Sequence, residues 1–217
     1  MRRALISSML LAAVAVFVAC GEDEESASSP EEASAECEDV QAAKPKQVNL
    51  KRPRLDPPPE GTRAVFETSC GTFEIELDTR RAPRTTASFA HLIEEGVYDG
   101  TGFHRVAPDF VIQGGDPAGD GTGGPGYFVD EPPPPDLAYT EGTVAMAKTA
   151  AEPPGRSGSQ FYVVTGPDAG LSPDYALVGE VVGGEEVVNA IEDLGPPGGD
   201  GAPSQPVVIE GATLEEG

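Results

Sequence analysis

Tryptophan is missing from this chain of 217 residues, which holds only three cysteines, three methionines and two histidines. His91 and His104 lie far from one another and from Cys20, Cys37 and Cys70, without the close ligand spacing of a zinc site, so neither a metal nor a cofactor is expected. Basic side chains are also scarce. Fourteen Lys and Arg face 37 Asp and Glu, a formal net charge of −23, and such a surface repels nucleic acid and anionic lipid headgroups. No nucleic-acid partner is expected. Gly114-Gly115-Asp116 and the later GDGTGGPGY are glycine-rich, yet no GxxxxGK[ST] follows them, so they read as loops and not as a phosphate cradle. Asp116, Asp120, Asp130 and Glu131 match no EF-hand spacing.

Long apolar runs are missing too, except at the start. Arg2 and Arg3 precede an apolar run from Ala4 to Ala19, shorter than the roughly 20 residues of a membrane-spanning helix and laid out like a secretory signal. Val18-Ala19-Cys20 fits the cleavage pattern of bacterial lipoproteins, although Phe17 departs from its aliphatic preference. The reading is a signal peptide over 1–19, lipid attachment at Cys20 and a protein held at the outer face of the cell membrane, with plain secretion as the alternative. Export places Cys37 and Cys70 in an oxidising compartment, where pairing is favoured over two free thiols. Residues 21–39 are acidic and nearly devoid of apolar side chains, which predicts a solvated tether. From Val40 to Gly61 the chain turns basic and then proline-rich, an extended connector packing loosely on a folded domain over 62–217.

Within that domain, Phe73, Ile75 and Leu77 alternate with Glu74 and Glu76, so Ala64–Ser69 and Thr72–Leu77 are expected to form a hairpin around Cys70-Gly71. Pro83 to Glu95 reads as a helix with proline in its first turn and Gly96 at its C-terminal cap. Phe89, Leu92 and Ile93 share its inner side. Further strands are expected at Thr143–Ala147, Phe161–Thr165, Ala176–Val182 and Val207–Leu214. A second helix, Glu185–Leu194, sets Val187, Val188, Ile191 and Leu194 on one face. The pattern alone gives a mainly β domain.

Two segments say more. Phe103 to Asp116 reads FHRVAPDFVIQGGD, and Gly158 to Val164 reads GSQFYVV. Together they resemble the signature of the cyclophilin-type peptidyl-prolyl isomerases, and the resemblance extends over Thr62 to Glu216. It implies a closed eight-stranded antiparallel β-barrel capped by two α-helices, acting on proline-containing polypeptides as a monomer. It also implies that Arg105, directly after Phe103-His104, is the catalytic arginine, with Gln113 helping to hold the substrate backbone. Phe110 and Val111 match the pair that binds the proline ring, Val111 replacing the usual methionine. Met146-Ala147-Lys148 corresponds to the family's Met-Ala-Asn, so Ala147 would line the groove and Lys148 would meet substrate through its backbone. Gln160, Tyr162, Leu171 and Tyr175 complete the implied substrate site. Tyr162 stands in place of a phenylalanine, so its hydroxyl needs a polar partner or solvent. The segment KTAAEPPGRSGSQ runs about three residues longer than in the best-known members. His104 is expected to be structural and His91 solvent-facing or satisfied.

The implied reaction needs neither nucleophile nor metal. Rotation about a peptide bond faces a barrier of about 18–20 kcal/mol because the nitrogen lone pair is delocalised into the carbonyl. A fixed donor to the prolyl nitrogen, with the ring held in an apolar slot, lowers it. A guanidinium is permanently charged and presents its donors as a rigid fork. A non-catalytic peptide-binding or chaperone module on the same fold is the competing reading.

Overall fold

The computed structural model describes residues 35–217. The expected signal peptide, Cys20 and the first part of the acidic tether lie outside the described residues. The hairpin forms as its alternation predicts: β1 (Arg63–Thr68) pairs antiparallel with β2 (Gly71–Leu77), Phe66 opposite Phe73. Those two rings stack with centroids 5.2 Å apart, a cross-strand contact that fixes register because a one-residue slip would place them on opposite faces of the sheet.

The helix α1 (Pro83–Glu94) follows. Its C-terminus is closed by Gly96 at φ +63, with Gly96 N donating to Ile93 O and Val97 N to Leu92 O, both at 2.9 Å. This is the paired Schellman arrangement, and glycine supplies the left-handed residue it requires. At the other end no local side chain caps the helix. Glu131, 46 residues onward, accepts instead from Thr85 N at 2.7 Å and Arg84 N at 3.1 Å.

Next come β3 (Phe103–Ala107), β4 (Val111–Gly114), β5 (Val129–Asp130), β6 (Thr143–Met146), β7 (Arg156–Ser157), β8 (Phe161–Val164) and β9 (Leu177–Gly183), then α2 (Glu185–Glu192) and β10 (Ile209–Glu215). The α2 helix ends two residues before Leu194, where Leu194 N and Gly195 N turn to the carbonyls of Ile191 and Glu192 three residues back. Eight strands form one antiparallel sheet in the order β10-β1-β2-β9-β6-β8-β4-β3, which curls into a half-barrel. No ladder joins β10 to β3. The two edges meet just ahead of those strands, where Gly102 bridges Val208 and Phe103 N donates to Val207 O at 3.1 Å. A separate pair, β5 with β7, is clasped by Arg156 on Asp130 through two bonds of 2.8 Å.

Inside the curl, Phe66, Phe73, Phe89, Phe103, Tyr98 and Phe161 make one aromatic core, all nearly inaccessible to solvent. Residues 35–61 carry no strand or helix, but they are docked more firmly than a loose connector. A disulfide joins Cys37 to Cys70 in the β1–β2 turn. Backbone bonds run from Glu38 N to Ser69 O, Lys46 N to Pro117 O and Leu50 N to Pro125 O, at 2.7–2.8 Å. Lys46 Nζ also donates to Asp99 O at 2.6 Å, and Val48 and Leu50 pack against the core. Gly126 makes the crossing possible: a Cβ there would stand 2.9 Å from Asn49 Cα.

Candidate active site

The β3–β4 hairpin sets Arg105 directly opposite Gln113, and the β4–β8 ladder sets Gln113 opposite Tyr162. Side chains of paired residues share a sheet face, so the arginine and the amide point the same way. Arg105 Nη1 donates to Gln113 Oε1 at 3.1 Å. Gln113 Nε2 donates to Gln160 Oε1 at 3.1 Å, and Gln160 Nε2 to the carbonyls of Gly121 and Gly123 at 3.0 Å. The direction of this relay is fixed at both ends, because a guanidinium only donates and a carbonyl only accepts. Arg105 also lies over the Phe110 ring, its Cζ 5.8 Å from the centroid.

An apolar slot adjoins the relay. Val111, Ala145, Tyr162 and Val164 are buried at its base, and Phe110, Ala147, Leu171 and Tyr175 stand half-buried around them. Tyr139, which sequence reasoning missed, organises this end. Its hydroxyl donates to Tyr175 O at 2.6 Å and accepts from Tyr175 N at 2.9 Å, and burial pushes its phenol up to about 12. Tyr162 packs edge-on against Tyr175 at 5.6 Å. Its hydroxyl has neither the polar partner nor the solvent access that its place in the slot led us to expect. Burial, with the nearby phenols of Tyr139 and Tyr175, pushes that group far upward.

All ten implied site residues border this relay and slot. The Lys148 side chain is turned inward and only 5% exposed. Its Nζ donates to Glu152 O at 3.3 Å and lies 5.2 Å from the Tyr175 ring centroid, tying the longer 149–155 segment to the slot. A cavity of about 660 Å³ opens beside the slot, sharing Ala147 with it and Gln113 and Gln160 with the relay, and walled on one side by Val48 from the docked 35–61 segment. His104 is half-buried with an unpartnered Nδ1, and burial holds its imidazole below the ordinary value. Among the described residues no group of three His, Cys, Asp or Glu side chains is placed to hold a metal ion.

One partner was not visible in the sequence. Asp200, on the loop between α2 and β10, receives Arg105 Nε on Oδ1 and Nη2 on Oδ2, each at 2.7 Å. The pair shifts both groups toward their charged forms: the carboxylate lies below its ordinary range and the guanidinium above. No local pattern marks an aspartate in a Gly-Pro loop as the partner of an arginine 95 residues earlier.

Residues 63–214 match the family described as cyclophilin type peptidyl-prolyl cis-trans isomerase/CLD. The chain is 40% identical over 171 residues to peptidyl-prolyl cis-trans isomerase B of Streptomyces anulatus, covering 70% of this chain and 95% of that protein. It is 37% identical over 172 residues to peptidyl-prolyl cis-trans isomerase-like 2 of Cryptococcus neoformans; that match covers 76% of this chain but only 30% of the fungal protein. A crystal structure of a Cryptosporidium parvum cyclophilin type peptidyl-prolyl cis-trans isomerase, obtained in the presence of the dipeptide Ala-Pro, superposes with a TM-score of 0.65 at 29% identity, covering 71% of this chain and 99% of that one.

Proposed function

The chain belongs to the cyclophilin-type peptidyl-prolyl cis-trans isomerases, and from that premise we propose that it accelerates X-Pro isomerisation in proteins folding outside the cytoplasm. The observation that carries the reading is the relay from Arg105 through Gln113 to Gln160 alongside an apolar slot. The proline ring enters between Phe110, Val111, Tyr162 and Leu171. Arg105 donates to the prolyl nitrogen as conjugation breaks and the lone pair localises there, an interaction made fully only in the transition state. Gln113, Gln160, Ala147 and the Lys148 backbone hold the flanking chain so that rotation occurs about one bond.

In this reading the backbone bridges between 100–103 and 207–209 form the seam of a closed barrel, residues 62–217 are the catalytic domain, and the molecule acts as a monomer. Residues 1–19 are a signal peptide, and Cys20 carries the lipid that holds the enzyme at the outer face of the membrane; the Ala4–Ala19 run and Val18-Ala19-Cys20 support this. The intact mass of membrane-extracted protein tests that anchor.

Catalysis is tested by following isomerisation of an X-Pro peptide with the full-length protein and its Arg105→Ala variant. Removing a preorganised transition-state donor is expected to lower kcat/KM by about 10²–10³ with unchanged thermal unfolding. A variant that retains the wild-type rate would remove Arg105 from the mechanism. A folded wild-type protein without turnover would return the chain to a peptide-binding module.

A further inference from the structure

Asp200 does not meet Arg105 as two long surface side chains meet. The residue after it, Gly201, is bridged to Val106, the residue after Arg105: Val106 N donates to Gly201 O at 2.7 Å and Gly201 N to Val106 O at 3.2 Å. Backbone pairing therefore delivers a short, stiff carboxylate beside the guanidinium. The usual entropic penalty of a surface ion pair, holding two flexible side chains in one geometry, is correspondingly reduced. Both carboxylate oxygens engage at 2.7 Å in the two-point arrangement, which adds orientation as well as attraction.

The accounting of donors shows what this does. A guanidinium carries five N–H groups; Asp200 takes one on Nε and one on Nη2, and Gln113 takes one on Nη1. One hydrogen on each Nη is left. Arg105 also lies over the Phe110 ring, so Asp200, Gln113 and Phe110 all bear on the one group. We propose that Asp200 is a positioning residue for isomerisation, which locks the orientation of Arg105 so that its remaining Nη hydrogens are held ready to donate to the prolyl nitrogen. The carboxylate also offsets part of the positive charge. That loss is small because the Asp200 side chain is 55% exposed, where solvent already weakens the pair's field. The orientational gain is retained in full, since a donor fixed in advance needs no reorganisation during the reaction.

This inference rests on the reading of Arg105 as the group that contacts the prolyl nitrogen, and the test separates the two. Turnover of an X-Pro peptide and the exchange of the Arg105 Nε–H with water, read by NMR, are measured on the full-length protein and on its Asp200→Ala and Asp200→Glu variants. Thermal unfolding checks that each variant is folded. Asp200→Ala is expected to lower kcat about threefold to tenfold with KM within about twofold, the signature of an interaction serving the transition state. Its Nε–H should exchange faster than that of the wild type, and Asp200→Glu should restore part of both. An active wild type whose Asp200→Ala variant keeps or exceeds its kcat overturns the positioning role while leaving Arg105 in place. An inactive, folded wild type defeats the functional reading itself, and the positioning role falls with it.

Discussion

A phenol buried without a hydrogen-bond partner is less favourable than a phenyl ring in the same place, because its hydroxyl has given up water and gained nothing. Tyr162 is in that position: 4% exposed, its hydroxyl enclosed by the slot and unpartnered, while the neighbouring Tyr139 hydroxyl both donates and accepts. Tyr162→Phe is therefore expected to stabilise the fold by about 1–3 kcal/mol, the desolvation penalty of an unsatisfied polar group. Equilibrium denaturant unfolding measures it, and a destabilised variant would show that the hydroxyl is hydrogen-bonded in solution. At this scale the sequence was informative where chemistry is carried by a contiguous motif. Arg105 and Gln113 stand eight residues apart in one hairpin, and their pairing follows from its register. Asp200 and Tyr139 act across separations of 95 and 36 residues, and only the assembled sheet brings them to their partners.

The elements divide in the same way. Both helices and the first hairpin were legible, because periodicity, Pro83 and Gly96 act within a few residues of where they stand. The helix α1 nevertheless takes its N-terminal cap from Glu131, and the 35–61 segment is held by distant carbonyls that no local pattern reports, besides the Cys37–Cys70 disulfide that export made the expected pairing. That disulfide joins residues 33 apart, and closing a loop of that length in the unfolded chain corresponds to about 3–4 kcal/mol in the chain-entropy account. Replacing both Cys37 and Cys70 by serine is expected to lower unfolding free energy by that amount in denaturant titrations. Native-state hydrogen exchange should report the loss locally. The amides of Glu38, Lys46 and Leu50, bonded to Ser69, Pro117 and Pro125, should lose protection before those of the sheet. Unchanged protection at all three would mean that Lys46, Val48 and Leu50 dock the segment without the covalent link.

For the whole molecule the dominant quantity is charge, and here composition and fold reinforce one another. The net charge of −23 gives the sign of the far field, and the fold determines whether the groove shares it. Its two cations are both engaged: Arg105 is paired with Asp200, and Lys148 is turned inward with Asp174 3.9 Å from its Nζ. Asp120 and Asp200 remain exposed near the groove, and Asp174 keeps 46% of its side-chain surface. The entrance is therefore acidic on balance. Attraction between exposed charges fades beyond a screening length of about 8 Å at physiological salt and about 30 Å at 0.01 M, so clients of opposite charge should be captured faster as salt is lowered. For an X-Pro peptide flanked by lysines, kcat/KM is expected to fall severalfold between 0.01 and 0.15 M salt, whereas a glutamate-flanked peptide should gain over the same range. The kcat of both should stay flat, since the isomerising step occurs after capture and involves no net movement of charge through solvent. Equal salt slopes for the two peptides would show that the acidic surface serves solubility alone and leaves client choice to the slot and its neighbouring cavity.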